Sequence, residues 1–186
     1  MKIRESDLPD ETEWMSFFNP TDTLIRLGLL GSMVNAADFG CGYGTFTIPV
    51  AKIIGGHIYA IDIDPAMIKS VELKAREHKL TNVIPLLRDL ILEGSGLEEC
   101  SVDYVMLFNM LHAENPEILL TEAFRILRVG GKLGIVHWNY DEPISGLPLE
   151  IKPRPRDCNR WAEAVGFRFE QELELKPYHF GLVMGK

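Results

Sequence analysis

Three glycines at alternate positions, Gly40, Gly42 and Gly44, follow a carboxylate in the stretch Ala37-Asp38-Phe39-Gly40-Cys41-Gly42-Tyr43-Gly44-Thr45. Glycines in such a turn permit a tight reversal and let backbone N–H groups come close to a ligand. Asp38 narrows which ligand. Two residues before the first glycine, it would repel a pyrophosphate in a partly dry crevice, where unit charges interact far more strongly than in water. It would welcome a ligand that carries positive charge. The dinucleotide fingerprint G-x-G-x-x-G also fails at its sixth position, which is Thr45. A second carboxylate, Asp62, ends an apolar run roughly 20 residues downstream, where open α/β folds accept hydrogen bonds from a ribose diol. Cys41 lies within the turn with no base beside it in sequence, so it is read as a small residue that lends its backbone. His112, His137 and His179, with Tyr178 as a polar aromatic partner, are the candidates for proton transfer, which a reaction needs only if its acceptor carries a proton. Each histidine taken alone is more often structural.

These residues need strands and helices to hold them. The approach 34–39 reads as a first strand, the glycines as a turn, and Phe46 to Ile54 as a helix ending at Gly55-Gly56. Residues 57–63 form a near-continuous apolar run, as a strand buried on both faces should. Asp64-Pro65 caps a helix from Ala66 to Lys79, with Met67 near its start. Val83 to Leu87 is a third strand, 102–109 a fourth, Pro116 to Leu127 a helix and Leu133 to Trp138 a fifth strand. After a proline-punctuated connection, 139–156, a helix over 157–165 turns Trp161 and Ala164 inward, and two apolar segments close the chain as a hairpin. Ahead of all this, 7–18 and Asn19-Pro20 to Gly28 read as two helices, with Trp14, Phe17 and Phe18 close to one face. They either cover the sheet permanently or act as a lid, with Trp14, Met15 and Phe18 facing an acceptor.

The [DE]-x-G-x-G-x-G pattern at Asp38 to Gly44 resembles motif I of the class I S-adenosylmethionine-dependent methyltransferases. The strand 102–109 is similar to that family's motif IV, which delivers its end to the transferable methyl group. The turn Val129-Gly130-Gly131-Lys132 resembles the family's leucine-x-proline-glycine-glycine turn, with Val129 in the place of proline. The resemblance implies a seven-stranded, mostly parallel sheet with helices on both faces, order 3-2-1-4-5-7-6 and the last strand antiparallel. It implies S-adenosyl-L-methionine as cofactor, held by Asp38, Gly40, Cys41, Gly42, Gly44, Asp62, Ile63, Met67, Asp89, Leu90 and Asn109. In it Asp89 meets the adenine amino group; the competing reading of Asp89 is an Asx turn with no ligand.

Composition bounds the rest. The 186 residues are read as one domain, with a helical cap over 1–30, a cofactor-binding core over 34–138 and an acceptor-side part over 139–186. A net charge of −8 argues against a broad nucleic-acid surface. The Asn109-Met110-Leu111-His112 stretch also lacks the proline-proline motif of nucleic-acid amino-methylating enzymes, so the expected partner is a small-molecule acceptor. Lys152, Arg154 and Arg156 form a basic run that could grip an anionic one. No apolar run reaches the ~18–20 residues of a membrane span, and three cysteines at 41, 100 and 158 form no metal spacing. The expected setting is a reduced cytoplasm, with no metal. Two other functions compete: a non-catalytic S-adenosylmethionine-binding subunit that positions or regulates a partner enzyme, and an NAD-dependent oxidoreductase, which Asp38 and Thr45 disfavour.

Overall fold

The computed structural model describes residues 11–141 and 148–186. Its seven strands are β1 (Ala36–Phe39), β2 (Ile58–Asp62), β3 (Val83–Leu87), β4 (Val102–Phe108), β5 (Leu127–Trp138), β6 (Arg168–Leu175) and β7 (His179–Gly185). They form one sheet in the order β3-β2-β1-β4-β5-β7-β6. All neighbouring pairs are parallel except those of β7, which runs antiparallel to both β5 and β6. The expected order and the reversed last strand are both present. Among the described residues no helix is long and apolar enough to cross a membrane.

Helices α1 (Glu11–Ser16), α2 (Pro20–Arg26), α3 (Thr47–Ile53), α4 (Pro65–Glu77), α5 (Pro116–Ile126) and α6 (Pro155–Val165) flank the sheet. Starts follow local chemistry. Asn19 accepts from the Asp22 N–H and Asp64 from the Ala66 N–H, each with proline next in line. Leu24 and Leu27, with Val50 and Ala51 of α3, pack on one face of the sheet. Leu119, Leu120, Ala123 and Ile126 of α5, with Cys158 and Ala162 of α6, pack on the other. β1 lies where the strand order reverses, between β2 and β4. In open α/β sheets ligands bind at that crevice, outside the carboxyl ends of the strands.

Three expectations shift. Pro155, acceptable at a first helical turn, starts α6 two residues early, and the inward face carries Cys158 and Ala162 at i, i+4 spacing, which leaves Ala164 exposed. The 139–156 stretch is not wholly irregular, for Leu149–Ile151 make a 3-10 turn, and its residues 142–147 lie outside the described residues. The glycine turn at 129–132 sits inside β5 instead of before it. Val102 pairs with Leu127, then Tyr104 pairs with Lys132, so the intervening residues bulge outward, with Gly130 left-handed at φ 81°. The start of the first predicted helix, residues 7–10, also lies outside the described residues.

Candidate functional site

β1 delivers Asp38 and then the turn, in which Gly40, Gly42 and Gly44 all have positive φ (74°, 51° and 79°). Gly40 carries the tightest constraint, because a Cβ there would come within 2.4 Å of Met110 Sδ. The turn is pinned from β2. Asp62 Oδ2 accepts from the Gly42 N–H at 2.9 Å and Oδ1 from the Asp64 N–H at 3.0 Å, while Gly40 N–H and Cys41 N–H donate to the Ile61 carbonyl. Asp38 is buried and accepts from Thr47 Oγ1 at 2.6 Å. Burial pushes its carboxyl up to about 7, against the Thr47 hydrogen bond and with help from the Asp62 charge. Burial also raises Asp62, opposed by its backbone N–H donors. Cys41 is buried and its thiol is pushed well up, first by burial and then by the two carboxylates, so the thiolate form is suppressed.

Ile63, 41% exposed, and half-buried Met67 follow Asp62. Beyond β3, Asp89 forms the Asx turn, with Oδ1 accepting from Ile91 and Leu92 N–H at 2.9 and 3.1 Å, and Leu90 is buried beside it.

The other half of the crevice lies at the ends of β4, β5 and β7. Asn109 takes left-handed backbone (φ 54°), its Oδ1 accepts from the Trp138 N–H at 3.1 Å, and its Nδ2 lies 3.4 Å from His179 Nε2. With Oδ1 committed, the amide nitrogen is the donor, so His179 Nε2 accepts and its hydrogen sits on Nδ1. His179 is fully buried, and burial pulls the imidazole down to about 3. Its ring lies 4.1 Å from that of Trp138 and 4.4 Å from that of Phe18. Over these rings lie Trp14 of α1 and Phe17 of the turn after it, and half-buried Tyr178 closes the side at 5.3 Å from Phe17.

The four proton-transfer candidates therefore divide. His179 and Tyr178 share the α1 face. His112 and His137 lie on the α5–α6 face, since His137 and Trp138 alternate across β5, and their Nδ1 and Nε2 approach to 3.3 Å. His137 is fully buried, so His112 is the member of that pair open to a ligand. Burial lowers both imidazoles, that of His137 strongly. The basic run divides too. Lys152 is buried, whereas Arg154, stacked on the Tyr140 ring at 4.0 Å, lines an open cleft of about 450 Å³ with exposed Arg156, Asp141 and Glu172. Among the described residues no cluster of His, Cys, Asp and Glu could hold a metal.

Sequence reasoning missed four participants. Thr47 supports Asp38 from the first turn of α3. Met110 fills the space Gly40 leaves, and Glu11 of α1 pairs with Lys74 of α4, which also donates to the Tyr43 carbonyl. Only Thr47 had a local signal, a hydroxyl just after the glycine turn.

Two adjacent buried carboxylates with raised proton affinity and no cation paired to Asp38 among the described residues fit a ligand bearing a sulfonium and an ammonium group. They do not fit a pyrophosphate. Comparison with known proteins agrees. Residues 37–135 match the methyltransferase domain family. Ribosomal protein L11 methyltransferase of Bacillus cereus is 31% identical over 144 residues, 77% of this chain and 41% of that protein. Ubiquinone biosynthesis O-methyltransferase of Xanthomonas oryzae pv. oryzae is 32% identical over 111 residues, 58% of this chain and 44% of that protein. The chain thus spans less than half the length of these curated relatives. A crystal structure of a SAM dependent methyltransferase from Aquifex aeolicus superposes with a TM-score of 0.83 at 25% identity, covering 94% of this chain and 93% of that one. The chain belongs to the methyltransferase domain family, as a class I S-adenosylmethionine-dependent methyltransferase in fold and in the cofactor it is built for.

Proposed function

We propose that this chain transfers a methyl group from S-adenosylmethionine to a small acceptor held at the ends of β4, β5 and β7. The observation that carries the reading is the pair of buried carboxylates, Asp38 and Asp62, on either side of a left-handed glycine turn at the strand reversal. When bound, the cofactor supplies a methyl group on a sulfonium, an already activated leaving group.

The residues have assigned tasks. Asp38 balances the cofactor's positive charge. Gly40, Cys41, Gly42 and Gly44 let backbone approach it, and Asp62 accepts from the ribose diol. Ile63, Met67 and Leu90 pack against the adenine, and Asp89 accepts from its amino group. Asn109 ends β4 beside the methyl, and α1 acts as a lid that excludes water. Alignment of two reactants in this manner supplies several kcal/mol of the barrier reduction. Of the four proton-transfer candidates, His179 and Tyr178 bound the acceptor on the α1 side, whereas His112, backed by His137, borders the crevice from the α5–α6 face.

Labelled S-adenosylmethionine offered with a panel of small hydroxyl, amine, thiol and carboxylate acceptors, read as S-adenosylhomocysteine formed, tests the reading. Turnover with one acceptor class supports it. Tight cofactor binding with no turnover on any class would instead favour a non-catalytic binding subunit.

A further inference from the structure

The ring cluster under α1 contains an unspent hydrogen-bond donor. His179 is fully buried, its Nε2 is taken by Asn109, and its Nδ1 has no partner among the described residues. Buried N–H groups without an acceptor are rare and cost free energy, so such a group marks a place where something else completes the bond. The surroundings say what. His179, Trp138 and Tyr178 are fixed to the sheet at the ends of β5 and β7, and they form a wall of flat faces and ring edges.

The opposite wall is different in kind. Trp14, Phe17 and Phe18 come from α1 and the turn after it, and α1 is six residues long. A helix of that length has no stability of its own. It is held by edge-to-face contacts, Trp14 to Trp138 at 6.2 Å and Phe17 to Trp138 at 5.3 Å, and by the half-exposed Glu11–Lys74 pair. Aromatic contacts of this geometry each add a modest stabilisation beyond their burial. A ligand ring that makes the same contacts can therefore take the place of one from α1, and it gains a hydrogen bond that no phenylalanine can make.

We propose that the cluster is the acceptor site and that the acceptor is a planar aromatic molecule bearing an oxygen, which accepts from His179 Nδ1. The identification of the site as the acceptor's rests on the methyl-transfer reading; the ligand chemistry rests on the rings and the unpaired donor. The Arg154–Arg156 cleft plays no part, because its charges lie outside this cluster.

Indole N–H signals provide the test, because the chain has three tryptophans and Trp161 packs on the opposite face as an internal control. p-Cresol, toluene and cyclohexanol are titrated separately into the cofactor-free protein and into the S-adenosylhomocysteine complex. The expected result is saturable shifts of Trp14 and Trp138 with p-cresol while Trp161 stays fixed. Toluene should bind at least about 5-fold more weakly, the fold-change of one hydrogen bond, and cyclohexanol should not bind at the same site. In His179→Phe the preference for p-cresol over toluene should vanish. If that variant does not fold, two-bond proton–nitrogen correlation in the wild type decides, with the hydrogen expected on Nδ1. No shift at Trp14 and Trp138, cyclohexanol equal to p-cresol, a preference that survives His179→Phe, or the hydrogen on Nε2 would each overturn the proposal. Calorimetry with S-adenosylhomocysteine separates the two readings: binding without a p-cresol response removes the aromatic acceptor and leaves the methyltransferase reading in place.

Discussion

The two halves of the crevice are made of opposite materials. At the ends of β1 and β2 the chain buries two carboxylates whose proton affinity is raised; Asp62 accepts from backbone N–H groups and Asp38 from the Thr47 hydroxyl. At the ends of β4, β5 and β7 it buries neutral rings, with one amide set against one imidazole among them. The first half asks for a cation and the second for a flat uncharged surface. Methyl transfer from a sulfonium to an aromatic acceptor needs both, side by side. The halves also differ in how they are assembled. Gly42 and Asp62 are 20 residues apart in sequence, whereas Asn109 and His179 are 70 apart.

The largest effect should come from the carboxylate half. Asp38 has a folded-state pKa of about 7 against an ordinary 3.8, so its contribution to stability is full below pH 4 and is lost as pH rises through 7. That gap corresponds to roughly 4 kcal/mol. Chemical denaturation of wild type and Asp38→Asn across pH 4 to 8 should show the variant gaining on the wild type by that order. A constant difference would mean Asp38 stays ionised without a cationic ligand, and the contrast between the halves would weaken.

Next is Gly40→Val, which forces a β-branched residue into left-handed backbone and drives Cβ onto Met110. S-adenosylhomocysteine affinity should fall by at least about 100-fold, near 3 kcal/mol, while far-ultraviolet circular dichroism keeps its wild-type shape. Normal binding would misplace the turn.

How much of this was legible in the sequence follows the same division. Strand, turn and helix are contiguous, so the glycines, Asp38 and the acid ending β2 announced a nucleotide-type site from spacing alone. Asp89 was legible as a choice between an Asx turn and an adenine contact, and the structure contains the Asx turn. In the other half, three histidines in strand-end positions looked like one group. Strand alternation sends His137 and Trp138 to opposite faces, and only the β5–β7 pairing puts Trp138 beside His179. That register is a long-range fact with no local signal. Likewise Arg154 and Arg156 read as an anion grip because they are close in sequence; Pro155 starts α6 between them and turns both into a separate cleft.

The smallest effect belongs to the lid. Hydrogen exchange over residues 11–19 should slow when S-adenosylhomocysteine binds, and Trp14→Ala should speed it while changing global unfolding by less than about 1 kcal/mol, because a six-residue helix opens locally. Protection that is identical with and without ligand would make α1 a permanent cover, and the acceptor half would then need another entrance.

The central claim is that the carboxylate half holds S-adenosylmethionine, with Asp62 at the ribose. Calorimetric titration of S-adenosylhomocysteine into wild type and Asp62→Ala tests it most directly. Loss of one buried acceptor costs about 1–3 kcal/mol, so the variant should bind roughly 5- to 150-fold more weakly, and NAD should give no heat with either protein. Equal affinity in the two proteins, or binding of NAD in place of S-adenosylhomocysteine, would contradict the account.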